Sequence, residues 1–151
     1  MPEKNIKMRT DMEAYKHKIQ YYETDKMGVT HHSNYIRWME EARVYLLDGL
    51  GFSYKKLEES GIISPVTNVE CKFVHSTTFD ELISIKVYVE EVKNVKIKIA
   101  YVMTNEEGKI VCKGKSEHCF LDVNGGFINI SKKMPDFYEV LLANQSEEVQ
   151  G

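Results

Sequence analysis

The chain has 151 residues, of which 42% are hydrophobic and 28% charged, with 20 basic and 23 acidic side chains. That length suits one domain with a substantial core, and the balance of apolar and charged residues excludes an intrinsically disordered chain. The net charge of −3 is spread along the sequence and leaves no footprint of a general nucleic-acid binder.

Residues 1–13 and 144–151 are polar and aperiodic, so both ends are expected to be flexible, flanking a single domain over 14–143. The run YKHKIQYYET predicts a first strand with Ile19 and Tyr21 on one face, stopped by a turn at Thr24–Gly28. A helix follows, because Tyr35, Trp38, Ala42, Tyr45, Leu46 and Gly49 recur on one face while Arg37, Glu41, Arg43 and Asp48 fall mostly elsewhere. Ser33 or Asn34 is the expected cap, and Gly49 or Gly51 the expected stop. FSYKKLEESG reads as a second, short helix ending at Gly61.

Strands dominate the remainder. ISIKVYVEEV puts Ile83, Ile85, Val87 and Val89 on one side, and NVKIKIAYVMT does the same with Val95, Ile97, Ile99, Tyr101 and Met103. IVCKGKSEHCFLD is a third run, Asn124–Gly126 a tight turn, and FINIS a last strand. Alternating strands joined by short turns mean antiparallel pairing, so the order strand, helix, meander predicts an α+β domain with the helix laid on a curved sheet. Cys71, Cys112 and Cys119 make no CxxC pair, which points to free thiols in a reducing compartment. The polar opening lacks signal-peptide character, and no apolar run approaches the roughly 20 residues of a spanning helix, so a cytoplasmic protein without a membrane span is expected.

Chemistry concentrates just ahead of the long helix, in YYETDKMGVTHHSNY. Asp25 is either an Asx-turn acid or a carboxylate able to attack a carbonyl or activate water. Gly28 allows a positive-φ turn or close approach of a ligand. Of the adjacent His31 and His32, at most one can face Asp25. His17, His75 and His118 have no ligand spacing near a Cys or acid, so no metal site is expected. Unpaired N–H groups at the helix start, aided by the macrodipole, could hold negative charge on a carbonyl oxygen. Together these parts point to acyl transfer to water.

Tyr22-Glu23-Thr24-Asp25-Lys26-Met27-Gly28-Val29, then His32-Ser33-Asn34-Tyr35 and Glu40-Glu41-Ala42-Arg43, resemble the signature of the hotdog-fold acyl-CoA thioesterases. The nearest group is the 4-hydroxybenzoyl-CoA thioesterase type with its Tol-Pal-cluster-associated relatives. The resemblance continues through Ser64-Pro65-Val66, Cys71-Lys72-Phe73 and Phe79-Asp80-Glu81-Leu82-Ile83, over roughly residues 14–140. It implies a curved antiparallel sheet wrapped around one long central helix, and hydrolysis of a small or medium acyl- or aryl-CoA to free acid and CoA. Asp25 would be nucleophile or general base, with the His32 N–H polarising the thioester carbonyl and the His32 side chain orienting substrate or water. Asn34, Tyr35 and Glu40 would be structural.

The resemblance also implies a homodimer, or a tetramer made of two dimers, with sheets joined edge to edge. Ser64, Pro65 and Val66 of the neighbouring subunit would line the acyl pocket, and Lys93 would meet the coenzyme A phosphates unless it is simply solvated. No cofactor is implied beyond the coenzyme A of the substrate, and acyl-ACP is a second candidate substrate. Two departures stand out: Glu23 where an Asp is often found, and the polar pair Thr30-His31 in place of a more apolar one. The alternative is a hotdog protein that binds acyl-CoA or acyl-ACP without cleaving it, which would have no use for a carboxylate at position 25. Dehydration of hydroxyacyl thioesters ranks last.

Overall fold

A computed structural model describes residues 6–146; the expectations for residues 1–5 and 147–151 lie outside the described residues. Among the described residues, five antiparallel strands are ordered β1-β3-β4-β5-β2: β1 Tyr15–Lys18, β2 Val66–Phe73, β3 Leu82–Val92, β4 Lys96–Thr104 and β5 Ile110–Cys119. In the same span, four helices accompany them: α1 Ser33–Gly49, α2 Tyr54–Glu59, α3 Ile130–Lys133 and α4 Pro135–Ala143. The expected α+β class, with one long helix on an antiparallel sheet, is what the chain adopts.

The core forms where two periodicities meet. Residues two apart on β3 and β4 (Ile83, Ile85, Val87 and Val89; Ile97, Ile99, Tyr101 and Met103) are all buried on the face that receives α1. From α1, Tyr35, Trp38, Met39, Ala42, Leu46 and Leu47 turn toward them. Burying each large side chain stabilises the fold by about 1.5–3 kcal/mol. Gly114 lets β5 run under this helix, because a Cβ there would meet the Met39 sulfur at 2.8 Å.

Several expectations need correction. The first strand stops at Lys18 and residues 21–23 form a 3-10 turn, so Ile19 is buried while Tyr21 is 76% exposed. A helix cap at Ser33 or Asn34 is not found. His32 occupies the N-cap position with helical φ, and the Ser33 N–H donates to His31 Nδ1 at 3.2 Å. Gly51 does carry the stop, at φ +91°. Arg43 is buried and Tyr45 reaches outward, its hydroxyl donating to the Glu13 carbonyl at 2.9 Å.

The sequence VTNVECKF forms an edge strand, β2, that its weak and mostly exposed pattern did not announce. FINIS is not a strand, since Ile130 begins α3 after Asn129 caps it, and α4 then seals the core with Phe137 and Leu141. Residues 6–13 and 144–146, expected to be flexible, are docked instead. Met12 lies against Gly49, where any Cβ would collide with it, and the Arg9 N–H donates to Asn144 Oδ1 at 2.6 Å. Ser146 N–H reaches the Val89 carbonyl at 2.8 Å.

The registers define two ends of the sheet. Leu82, Thr104, Ile110 and Phe73 lie at one end; Val92, Ile97, His118 and Val66 form a row at the other. Truncating the helix–sheet contact tests this packing: Leu46→Ala should cost about 2–5 kcal/mol, read as a lower urea midpoint at unchanged m-value. A loss under about 0.5 kcal/mol would mean that α1 is not seated on the sheet as described.

Candidate active site

The loop from Thr24 to His32 joins the 3-10 turn to α1 and is pinned at both sides. The Asp25 N–H donates to the Val29 carbonyl at 2.9 Å and Gly28 N–H to the Asp25 carbonyl at 3.0 Å, closing a tight turn. Gly28 has φ +78°, a region that a side chain would strain. The Thr30 N–H donates to the Thr77 carbonyl at 2.8 Å, and the Thr78 hydroxyl to the Gly28 carbonyl at 2.6 Å. The segment before β3 thus carries the loop.

Asp25 is half-buried, and its Oδ1 accepts the Met27 N–H at 2.8 Å. It is therefore an Asx-turn acid, yet it also lines a cleft of about 310 Å³ with Thr30, His32, Tyr35, Phe73 and Val74. Oδ2 has no hydrogen-bond partner among the described residues. The two readings of this residue are compatible, since the turn engages only one carboxylate oxygen of a residue that lines the cleft.

His32 shares that cleft. Its ring is exposed, stacks on His31 with centroids 4.2 Å apart, and faces Phe73 at 6.2 Å. Its backbone N–H has no partner among the described residues. This free donor sits at the positive end of a 17-residue helix, as an oxyanion site requires. His31 is tied down, with Nδ1 2.8 Å from the Ser33 hydroxyl. Tyr35 packs edge-on to Phe73 at 5.2 Å, and its hydroxyl is 2.9 Å from that of Thr77. Asn34 is structural, donating to the Glu23 and His31 carbonyls at 2.9 and 3.2 Å.

Ser64, Pro65, Val66 and Lys93 are not brought to this cleft within one chain. Val66 begins the eight-residue β2 and Phe73 ends it, which separates them by about 23 Å at strand spacing. Lys93, in the β3–β4 turn beyond the far row, pairs with Glu91 at 3.3 Å and is 56% exposed. Gly28 shapes the turn without lining the cleft.

Two features owe their importance to burial that the sequence does not reveal. One is Glu23, a buried carboxylate two residues before Asp25. The other is a polar cluster under the sheet's far end. Arg43 donates from Nε to the Tyr54 hydroxyl at 2.5 Å and lies 3.3 Å from His118 Nε2, which is 2.8 Å from the Ser116 hydroxyl. The EEAR motif showed Arg43 only as a helix residue, and nothing in SEHC marked His118 as internal.

A profile of the thioesterase-like superfamily matches residues 19–145. The chain belongs to the thioesterase-like superfamily. Among solved structures similar to this superfamily member, a DHNA-CoA thioesterase from Staphylococcus aureus has a TM-score of 0.83 at 32% identity, over 87% of this chain and 89% of the other. A hypothetical protein from Aquifex aeolicus gives 0.78 at 31% identity, over 84% and 97%. In sequence, a 1,4-dihydroxy-2-naphthoyl-CoA hydrolase of Prochlorococcus marinus (strain MIT 9515) is 28% identical over 130 residues, 82% of this chain and 84% of its own length. The hotdog thioesterase fold expected from the sequence is thereby established, and the family agrees with a thioester hydrolase.

The buried histidine of this thioesterase-like chain yields a pH prediction. Burial, reinforced by the Arg43 charge and opposed by the Ser64 backbone, pushes His118 down to about 3. Below the unfolded-state value near 6.5, the unfolded chain binds a proton that the native state refuses. Stability contributed by the neutral ring is therefore present above pH ~6.5 and lost progressively as pH falls toward about 3. Urea midpoints between pH 7 and 4 should fall less steeply in His118→Gln than in wild type; parallel slopes would show that His118 does not stay neutral in the fold.

Proposed function

We propose that the protein hydrolyses acyl-CoA thioesters to free acid and CoA, with Asp25 as nucleophile or general base and the His32 N–H as oxyanion donor. The observation that carries this reading is that one cleft is lined by both Asp25 and His32, the latter with a helix-start N–H that is unpaired among the described residues. A thioester whose carbonyl oxygen took that N–H would present its carbon to Asp25 across the shared cleft. Attack by Asp25 forms a mixed anhydride and releases the CoA thiolate, after which water cleaves the anhydride. As general base, Asp25 instead takes a proton from the attacking water. Removing one oxyanion donor from such a site costs on the order of 10²–10³ in rate.

An aryl or small to medium acyl group suits the walls, because the Tyr35, Phe73 and His32 rings meet there. The relatives named for a dihydroxynaphthoyl thioester favour an aryl substrate, and the 4-hydroxybenzoyl-CoA type belongs to the same chemical class. CoA is preferred to ACP as carrier on the same grounds. The proposed chemistry needs no cofactor beyond the substrate's own CoA, and the proposed compartment is the cytoplasm. Among the described residues, no helix is long and apolar enough to cross a membrane.

The proposed assembly is a homodimer, with pairing of dimers as its extension. β2 is an edge strand carrying exposed Val66 (47%) and Phe73 (51%). Antiparallel pairing of β2 with its two-fold mate would set Ser64, Pro65 and Val66 of one copy beside the Phe73 end of the other. Those residues would then close the acyl pocket from outside the chain. Lys93 keeps a proposed role at the CoA phosphates only if it leaves Glu91.

Thiol release from benzoyl-CoA and hexanoyl-CoA tests the reading. Asp25→Asn should lower kcat by about 10²-fold or more while substrate binding persists, since the lost group acts in the transition state. Saturable binding by wild type with no thiol released would favour the alternative of a non-catalytic acyl-CoA or acyl-ACP binding protein. Turnover by Asp25→Asn near the wild-type rate would remove Asp25 from the mechanism.

A further inference from the structure

We infer that Glu23 is a positioning residue for the proposed hydrolysis, holding Asp25 in register with the His32 N–H without itself lining the cleft or touching substrate. The inference rests on the hydrolase reading above.

Glu23 is 4% exposed and engaged at both its side chain and its backbone. Oε1 accepts the Gln20 N–H at 2.8 Å and faces His17 Nε2 at 2.8 Å, while Oε2 accepts the Trp38 indole N–H at 2.7 Å. The Glu23 carbonyl accepts the His31 N–H at 2.8 Å and the Asn34 amide at 2.9 Å. One residue therefore ties together the strand end at His17, the core of α1 at Trp38, and the first residues of that helix. Asp25 lies two residues after Glu23, and the unpaired His32 N–H follows directly on His31.

The side-chain type follows from the donors. Three groups converge on the carboxylate, and an amide at this position would turn an N–H toward at least one of them. Burial alone would raise the Glu23 carboxyl, but the Gln20, His17 and Trp38 donors outweigh it and hold the group below its ordinary range. His17 is itself clamped: its ring packs on Trp38 at 4.7 Å, and Nδ1 lies 3.4 Å from Glu41, which also accepts the Tyr15 hydroxyl at 3.0 Å.

A purely structural carboxylate would change stability when replaced. A positioning carboxylate changes turnover as well, because misplacing reacting groups by about 1 Å can cost 10²-fold. Glu23→Gln keeps size and removes charge, and the probes are benzoyl-CoA and hexanoyl-CoA. The expected result is kcat lowered roughly 10–100-fold with KM changed less than about 3-fold. Because Glu23 acts through Asp25, the double variant Glu23→Gln/Asp25→Asn should be no slower than Asp25→Asn alone. Trp38→Phe removes one donor while keeping an aromatic ring, and should show a smaller kcat loss with the same dependence on Asp25. It decides the matter by these criteria if Glu23→Gln does not fold.

Folded Glu23→Gln with kcat within twofold of wild type overturns the inference, as do losses that multiply with those of Asp25→Asn. Should Asp25→Asn be dead while Glu23→Gln is fully active, only the positioning role fails. Should Asp25→Asn itself be fully active, the hydrolase reading fails and takes the coupling with it.

Discussion

The arrangement of the cleft depends on a hydrogen bond buried beneath it, from the Trp38 indole to the Glu23 carboxylate. Trp38 is wholly enclosed between α1 and the sheet, so its N–H must find an acceptor or lose the free energy of one. Glu23, equally enclosed, would be untenable as a charge without donors around it. Each satisfies the other, and the bond joins the part of the molecule built by apolar packing to the loop that carries Asp25 and His32. The loop therefore inherits the rigidity of the core, although most of its own side chains face solvent.

A second polar cluster plays the corresponding part toward the other end of the sheet. Arg43, His118, Ser116, Tyr101 and Tyr54 share hydrogen bonds where α1 crosses β4 and β5. No acid faces Arg43 among the described residues. A neutral imidazole is the partner such a cation tolerates, which is why burial and the guanidinium act on His118 in the same direction. Beneath one end of the helix, then, a carboxylate is matched to hydrogen-bond donors; farther along, a cation is matched to neutral acceptors.

How far the sequence discloses this depends on the range of the interaction. The strands β3 and β4 and the helix α1 are legible because their apolar residues recur at 2.0 and 3.6 over many positions, enough to outweigh local exceptions. The motif around Asp25 is legible because its turn, its glycine and the helix start are contiguous. Glu23 shows in the sequence only as a departure from Asp, since its significance lies in His17 and Trp38, on a separate strand and helix that meet only in the fold. Arg43 was assigned outward by a helical pattern that cannot foresee a phenol and an imidazole waiting on other elements. β2 went unread because an edge strand is exposed along most of its length and so lacks the alternation that announces a strand.

The weak pattern of β2 bears on function. Within one chain the cleft is walled on one side by Asp25 and His32 and on the other by Phe73 and Val74, each about half exposed. A thioester held there would keep part of its acyl group in water, which weakens an oxyanion interaction that depends on a dry site. The proposed symmetric pairing along β2 would remedy this with the residues at hand. The far end of the mate's strand would bring Ser64, Pro65 and Val66 to the open side, and the exposed strand edge would find hydrogen-bond partners in the same step. On the proposed reading, the apolar side chains that weaken β2 as a sequence signal are those that complete the neighbouring copy's pocket.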